Sequence, residues 1–297
     1  MLSWCESLAD NRARCVDGTK DAKAGQTHFL SANGRVQVPI NRRTFLAIGA
    51  SSLLADAGAS TSPGQTSRWS HIKGVAFDAF PVFDSRPILR ACEEQFPGLG
   101  TELNAAWRTK QFEYQWLRAL GGQYEDFWQT TQSALEYAAR ALKLELSSSV
   151  RQRLMQGYLT LKAWPEVADV LAELRRSEMK LALLSNVTPQ MLDDGIRSAG
   201  LSKLFDHVIS TDRIRSFKPD PRAYRLGVDV LRLPKEEIMF VAFAGWDVAG
   251  AKWFGYPTFW NNRQNATSEQ LGVSPDGNGQ SLNELVAFLS DSPAQGA

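Results

Sequence analysis

The sequence predicts an α/β fold: a doubly wound parallel sheet with helices on both faces and an inserted helical segment after the first strand. Two observations lead to this prediction. From about residue 72 onward, short apolar runs of strand length alternate with amphipathic helical patterns. Between residues 86 and 162, helical patterns follow one another without any strand signal. Strands joined by helical crossovers run parallel, which explains why their sequences are apolar throughout.

The composition is that of a globular protein. The 297 residues are 43% hydrophobic and 22% charged, with a net charge of +1. A near-neutral charge gives no electrostatic basis for binding nucleic acid or an anionic membrane surface. No run approaches the roughly 20 apolar residues that a membrane-spanning helix needs. We therefore expect no nucleic-acid partner, and no membrane association of the mature form.

Cysteine and histidine are too sparse to predict a disulfide framework or a zinc site. Two of the three cysteines, Cys5 and Cys15, lie in the atypical N-terminal stretch, which leaves Cys92 as the only thiol of the expected folded body. Histidine also occurs only three times, and never in a cluster with cysteine. The sequence predicts no metal site and no cofactor.

Residues 1–67 are expected to form an N-terminal extension. Arg42 and Arg43 precede a short apolar and small-residue run, Phe45–Ala55. This resembles a twin-arginine export signal and implies a periplasmic or exported protein. The alternative is a basic start to a short helix in a cytoplasmic protein. Because about forty residues precede the arginines, one hypothesis places the natural start downstream, for example at Val36. Ser60–Ser67 is interpreted as a linker.

Residues 68–85 and 163–290 are predicted to form the core domain. Five apolar runs predict its strands: Ile72–Phe77, Lys180–Leu184, His207–Ser210, Ile238–Phe243 and Pro257–Trp260. Helical patterns lie between them, at Pro165–Ser177, Pro189–Ala199 and Arg222–Leu231. Ligands of such sheets bind beyond the carboxyl ends of the strands. Asp78, Ser185, Asn186 and Asp247 are expected there.

Residues 86–162 are predicted to form a helical cap domain inserted after the first strand. Its helical patterns lie at Pro87–Gln95, Leu103–Leu120, Tyr124–Leu142 and Ser149–Leu161. A cap over a sheet edge can exclude water and supply side chains that face the substrate.

Four short motifs follow the predicted strands: Phe77-Asp78-Ala79-Phe80, Leu184-Ser185-Asn186, Lys218-Pro219-Asp220 and Trp246-Asp247. Their order, placement and spacing resemble those of the haloacid dehalogenase (HAD) superfamily. The segment Trp107–Tyr114 resembles the cap helix of type II L-2-haloacid dehalogenases. The resemblance spans Ile72–Leu289 and implies a HAD-like fold, with a Rossmann-like core and a helical cap. It also implies a possible homodimer.

The resemblance implies a role for each candidate catalytic residue. Asp78 attacks the halogen-bearing carbon of a short 2-haloalkanoic acid and forms an ester, which water hydrolyses to the 2-hydroxy acid. Lys218 keeps Asp78 ionised, because a nearby cation favours a charged carboxylate. Asp247 activates the water, and Ser185 binds the substrate carboxylate. Arg108 and Asn186 bind the departing halide and stabilise its developing charge.

Five further residues complete the site that the resemblance implies. Tyr224 orients the site, and an apolar wall surrounds the substrate: Phe80, Phe112, Phe127 and Trp246. Taken singly, each candidate has a structural alternative. Aromatic residues are more often core than pocket, and residues such as Ser185 and Asn186 can simply form a turn.

Two features argue against a phosphatase. Superfamily phosphatases generally carry an acid/base aspartate two positions after the nucleophile, where this chain has Phe80, which cannot transfer a proton. They also bind Mg²⁺ through several acidic oxygens, whereas Asp247 has no acidic neighbour. A halide leaves without a proton, so the same residues favour metal-independent dehalogenation.

Two departures from the family pattern leave alternatives open. The loop after Asp78 is one residue shorter, contains Pro81 and lacks the usual threonine. Ala242 and Ala244 stand where the family has a serine and an asparagine that face the site. The alternatives are a superfamily hydrolase of another specificity, including a phosphatase, and a catalytically impaired binding protein.

Overall fold

The computed structural model describes residues 67–290. The described residues belong to one compact unit. The twin-arginine-like segment, Phe45–Ala55 and the expected linker up to residue 66 lie outside them. No helix between residues 67 and 290 combines the length and the hydropathy needed to cross a bilayer.

The predicted parallel sheet is confirmed. The strands of residues 67–290 are β1 Gly74–Phe77, β2 Phe83–Asp84, β3 Lys162–Ala163, β4 Lys180–Ser185, β5 His207–Ser210, β6 Ile238–Ala242, β7 Thr258–Asn261 and β8 Gly277–Gly279. Six of them form one sheet in the order β5-β4-β1-β6-β7-β8. Every pair within it is parallel. The strand order reverses beside β1, which places a topological switch point at its carboxyl end.

Helices connect the strands and fill the long insertion. They are α1 Ala79–Val82, α2 Arg86–Gln95, α3 Gly100–Gly121, α4 Phe127–Ala141, α5 Ser148–Gln156, α6 Val167–Arg176, α7 Pro189–Ser198, α8 Pro221–Leu231, α9 Gly245–Phe254 and α10 Leu282–Ser290. Capping explains where several begin. Asp126 accepts a hydrogen bond from the amide of Gln129, so α4 starts three residues after the Tyr124 predicted from the sequence.

Strand alternation divides the apolar core into two clusters. Val75 and Phe77 of β1 belong to the cluster that also contains Trp107 and Leu135 of α3 and α4. Ala76, which points to the other face of the sheet, belongs to the second cluster. The inserted helices thus share one continuous core with a face of the sheet.

Some strands were not predicted because they carry no apolar run. β8 has the sequence Gly-Asn-Gly. β2 and β3 are two residues each and pair antiparallel, with Phe83 opposite Ala163 and Asp84 opposite Lys162. This small ladder joins the two ends of the helical insertion.

Candidate active site

Asp78 follows β1 and caps the single turn α1. Its amide donates to the Val241 carbonyl at 3.0 Å, and its Oδ2 accepts from the Phe80 amide at 3.2 Å. Pro81 lies in the first turn of α1, where an amide would have no helical partner. The lost donor at Pro81 is therefore tolerated.

Lys218 bridges two carboxylates beneath the cavity. Its Nζ lies 2.8 Å from Asp78 Oδ1 and 2.9 Å from Asp247 Oδ2, and the side chain is only 1% exposed. Burial alone would lower the pKa of Lys218. Attraction to Asp247 and Asp78 outweighs burial and raises that pKa, so Lys218 stays a cation.

Asp247 lies in the first turn of α9 and is buried. Its Oδ1 accepts a hydrogen bond from the Tyr224 hydroxyl at 2.7 Å. Burial, with a smaller contribution from Asp78, raises the pKa of Asp247 to about 6, although Lys218 and Tyr224 act in the opposite direction. A carboxylate whose pKa lies close to neutrality is well suited to accept a proton from water.

Tyr224 is fixed as a donor. Burial, followed by the charge of Asp247, raises the pKa of Tyr224 well above its usual value, so the phenol keeps its proton. Its carbonyl accepts from the Tyr256 hydroxyl at 2.7 Å. A β-carbon at Gly250 would lie 2.3 Å from the Tyr224 hydroxyl and 2.8 Å from Pro219. Only glycine fits beside this ring.

Ser185 ends β4 and donates to Asp78 Oδ1 at 3.2 Å. In the described residues, this hydroxyl gives Asp78 a hydrogen bond that the shortened loop, without its threonine, does not supply. Asn186 links two elements: its Oδ1 accepts from the amide of Lys218 at 2.8 Å, and its Nδ2 donates to Gln115 in α3 at 2.8 Å. Ser185 at the end of β4 thus contacts Asp78, and the next residue, Asn186, contacts the backbone of Lys218.

Arg108 lies in α3 among aromatic rings. Its guanidinium carbon is 5.6 Å from the centre of Phe80, 5.8 Å from Phe112 and 5.5 Å from Phe243. Within residues 67–290, no acidic side chain forms an ion pair with it. Ring faces hold the cation without neutralising its charge.

These residues surround a small cavity at the carboxyl ends of the strands. It is lined by Asp78, Phe80, Phe112, Gln115, Phe127, Ser185, Asn186, Val187, Phe243, Ala244, Trp246 and Asp247. The structure therefore brings all four predicted wall aromatics to one cavity. Lys218, Tyr224 and Arg108 do not line the cavity themselves, but each contacts a residue that does.

The expectation that Ala242 faces the site is wrong. Ala242 lies in the second apolar cluster, whereas Phe243 lines the cavity. The reason is alternation along β6, which turns successive side chains to opposite faces. Ala244 does line the cavity, as expected.

The sequence did not predict that Arg263 stabilises the turn after Asp78. Arg263 donates to the Pro81 carbonyl at 3.0 Å and to Glu166 at 2.6 Å, with its guanidinium over the Trp164 ring. Trp164 in turn donates to the Phe80 carbonyl at 3.3 Å. An arginine in a loop after β7 gives no sequence signal for this contact.

Comparison with known proteins identifies the family. The family model of the haloacid dehalogenase-like hydrolases matches residues 55–255. An (S)-2-haloacid dehalogenase of Pseudomonas sp. (strain YL) is 43% identical over 220 residues, covering 74% of this chain and 95% of that protein. The chain belongs to the haloacid dehalogenase-like hydrolases.

Other relatives place it within one branch. Haloacetate dehalogenase H-2 of Moraxella sp. (strain B) is 41% identical and covers 69% of this chain and 92% of its own. A solved L-2-haloacid dehalogenase is 40% identical, with a TM-score of 0.73 and coverage of 74% and 99%. The Xanthobacter autotrophicus enzyme with chloropropionic acid covalently bound is 36% identical, with a TM-score of 0.69 and coverage of 73% and 98%. The predicted branch, the L-2-haloacid dehalogenases, is confirmed.

Proposed function

We propose that this haloacid dehalogenase-like hydrolase converts short 2-haloalkanoic acids to 2-hydroxy acids and halide through an ester on Asp78. One observation carries the proposal: Asp78 and Asp247 line the same small cavity and share Lys218 as their counter-ion. The names of the relatives and the covalently bound chloropropionic acid of the Xanthobacter autotrophicus enzyme support it.

The first step is a displacement at C2. An Asp78 oxygen forms a bond to this carbon while the carbon–halogen electron pair leaves with the halide, which inverts the configuration. Lys218 and Ser185 both contact Oδ1 of Asp78, while Oδ2 accepts only the backbone amide of Phe80 within the described residues. Oδ2 therefore has the more available lone pair, and we assign the attack to it.

The second step is hydrolysis of the ester. Asp247 takes a proton from water, and the resulting hydroxide attacks the carbonyl carbon of the Asp78 ester. The bond between that carbon and the substrate oxygen breaks, the departing alkoxide takes the proton back from Asp247 to give the 2-hydroxy acid, and the proton of the new Asp78 carboxyl group passes to solvent, which leaves Asp78 as a carboxylate. Lys218, which contacts both carboxyl groups, stabilises the negative charge of the tetrahedral intermediate.

The test is halide release from L-2-chloropropionate, with and without EDTA. We expect one lactate per chloride, no effect of EDTA, and loss of turnover in Asp78→Asn. Asp84→Asn is the matched control, because Asp84 lies close to Asp78 in the chain, in β2, but pairs with the exposed Arg86. No halide release from any short haloacid would contradict the proposal. Mg²⁺-dependent phosphate release would point to a phosphatase, and inactivity in both assays to a binding protein.

We propose that residues 86–162 act as a cap domain on the core made of residues 68–85 and 163–290. The cap supplies Phe112 and Phe127 to the cavity, and the two-residue strands β2 and β3 join its ends to the core. Limited proteolysis followed by mass spectrometry tests this division. We expect the first cuts near Ser85 and Thr160; cuts within the core strands would contradict it.

We propose a homodimer formed through α3. Its outer face exposes Leu117 by 64% and Leu120 by 88%, next to Trp116. A second copy of this chain would present the same apolar face, as a twofold dimer requires. Sedimentation should give a dimer that Leu117→Glu and Leu120→Glu together dissociate. A monomer at all concentrations would contradict the proposal.

We propose export by the twin-arginine route. The support is the pair Arg42 and Arg43 before the apolar run Phe45–Ala55. Fractionation of the native host should place the mature protein outside the cytoplasm, and replacement of both arginines by lysine should retain it inside. A cytoplasmic location that is unaffected by the double replacement would contradict the proposal.

A further inference from the structure

The orientation of two buried amides at the cavity follows from a backbone donor. Asn186 Oδ1 accepts from the amide of Lys218 at 2.8 Å and from the Thr211 hydroxyl at 3.3 Å. A backbone amide can only donate, so the oxygen of Asn186 must face it. The Asn186 nitrogen must then donate to Gln115 Oε1, 2.8 Å away. This fixes the other end of the Gln115 amide, Nε2, as a free donor.

Gln115 is 0% exposed and lines the cavity. Its Nε2 has no hydrogen-bond partner within the described residues, and neither has Nε1 of Trp246, which also lines the cavity. Leaving a buried donor without a partner costs about 1–3 kcal/mol. In residues 67–290, no lining side chain has a buried acceptor that is similarly unpaired. The spare groups on the cavity wall are N–H donors, which suits an electron-rich ligand atom.

Helical spacing places Gln115 on the same face of α3 as Arg108, two turns further along the helix. Arg108, Phe112 and Gln115 lie at positions i, i+4 and i+7 of α3, which share one face of a helix. In a displacement at C2, the leaving atom departs on the side opposite Asp78. The wall facing the strand ends is supplied by α3 and α4, through Phe112, Gln115 and Phe127.

We propose that Gln115 Nε2 donates a hydrogen bond to the departing halide, as a further leaving-group donor beside Arg108 and Asn186. This inference rests on the proposed dehalogenation. As the bond from Asp78 to C2 forms, the carbon–halogen electron pair moves onto the halogen and its negative charge grows. A donor to that atom binds the transition state more tightly than the neutral haloalkyl group, and therefore accelerates the displacement.

The test compares two buried glutamines of α3. Gln115→Met removes the free donor. Gln111→Met is the matched control, because Gln111 is equally buried one turn earlier, lies outside the cavity lining and donates to Thr131 at 2.6 Å. Chloride binding is followed by line broadening in chloride NMR at constant ionic strength, and propionate binding by calorimetry. Neither measurement needs turnover.

We expect Gln115→Met to weaken chloride binding by about tenfold, the worth of a hydrogen bond to a charged group. Propionate binding should stay unchanged, and Gln111→Met should affect neither. Turnover of 2-chloropropionate should fall more than that of 2-bromopropionate, because chloride accepts the stronger hydrogen bond. If Gln115→Met weakens only propionate binding, Gln115 serves the substrate carboxylate and the proposal is overturned. Unchanged binding of both anions also overturns it.

Gln115→Glu is a second variant, which keeps the test valid if Gln115→Met misfolds. It distinguishes the loss of the hydrogen-bond donor from the loss of the contact that positions Asn186. Its carboxylate can still accept from Asn186 Nδ2 but presents an oxygen to the cavity. Chloride binding should weaken at least as much as in Gln115→Met; retention of wild-type binding at alkaline pH would contradict the inference. If chloride binding depends on Gln115 but the protein has no dehalogenase activity, the proposed function is contradicted and this inference is not. If the protein turns over haloacids but its halide binding does not depend on Gln115, this inference is contradicted and the proposed function is not.

Discussion

The two walls of the cavity are built on opposite principles. On the wall formed by the strand ends, the charged groups contact one another: Lys218 bridges Asp78 and Asp247, and Tyr224 donates to Asp247. On the helical wall, Arg108 lies on rings and Gln115 keeps an unpaired donor. On the first wall the charged groups are already paired with one another, which fixes their positions. On the second wall Gln115 Nε2 has no partner within the described residues, as expected of a side that receives a new anion, and Trp246 of α9 adds a second unpaired donor to the cavity.

Lys218→Met should break the strand-end wall and have the largest effect. Its removal leaves two buried carboxylates without a counter-charge, and breaking a buried ion pair costs about 3–5 kcal/mol of stability. We expect turnover to fall by about a thousandfold, measured as halide release by protein that remains folded. Lys252→Met is the control, because Lys252 forms a partly exposed pair with Asp276. A comparable loss of turnover in the two variants would show that the buried ion pairs of Lys218 contribute no more than the partly exposed pair of Lys252.

Tyr224→Phe should slow hydrolysis of the ester rather than its formation. The change removes the 2.7 Å hydrogen bond to Asp247 Oδ1 while keeping the buried ring. We expect a decrease of about tenfold to a hundredfold in turnover. Intact-protein mass spectrometry should detect accumulated ester in the steady state. A slower burst of halide release without accumulated ester would assign Tyr224 to the first step instead.

The hydrolysis step should fail at low pH. Asp247 acts as a base only when ionised, so its contribution is present above the pKa of about 6 and is lost as pH falls through it. In the ester, Asp78 carries no charge and no longer raises the pKa of Asp247, so the midpoint should lie at or below 6. Tyr224→Phe removes a bond that lowers this pKa and should shift the midpoint upward. Single-turnover rates from pH 4 to 8 provide the measurement, and a midpoint independent of Tyr224 would contradict the assignment.

Phe112→Leu tests the helical wall and should have the smallest effect. Phe112 packs edge-on against Trp246 and lies beneath Arg108. Its shortening enlarges the cavity, so we expect KM to change by only about threefold for 2-chloropropionate, with longer haloacids gaining relative to it. The ratio of kcat/KM for 2-chlorobutyrate and 2-chloropropionate is the measurement. A loss as large as that of Lys218→Met would remove the contrast between the walls.

The sequence allowed the strand-end wall to be predicted, and the family resemblance added Phe112 and Phe127 of the helical wall but not Gln115. Asp78 and Ser185 end apolar runs, and in a parallel sheet such ends converge at one edge. Gln115 gave no signal, because its role depends on a hydrogen bond from Asn186 across the cavity. The brace from Arg263 to Pro81 joins residues 182 positions apart and was equally invisible. Contacts that depend on the packing of a side chain, rather than on a periodic pattern, have to be read from the structure.

The most direct test of the central claim is a single turnover in heavy-oxygen water with enzyme in excess. If Asp78 forms the ester, the oxygen gained by the product comes from the Asp78 carboxylate, and the label enters the enzyme. Mass spectrometry of the peptide containing Asp78 should show one heavy oxygen, with unlabelled lactate. Label in the lactate and none in the peptide would mean that water attacks C2 directly, which would contradict Asp78 as the nucleophile.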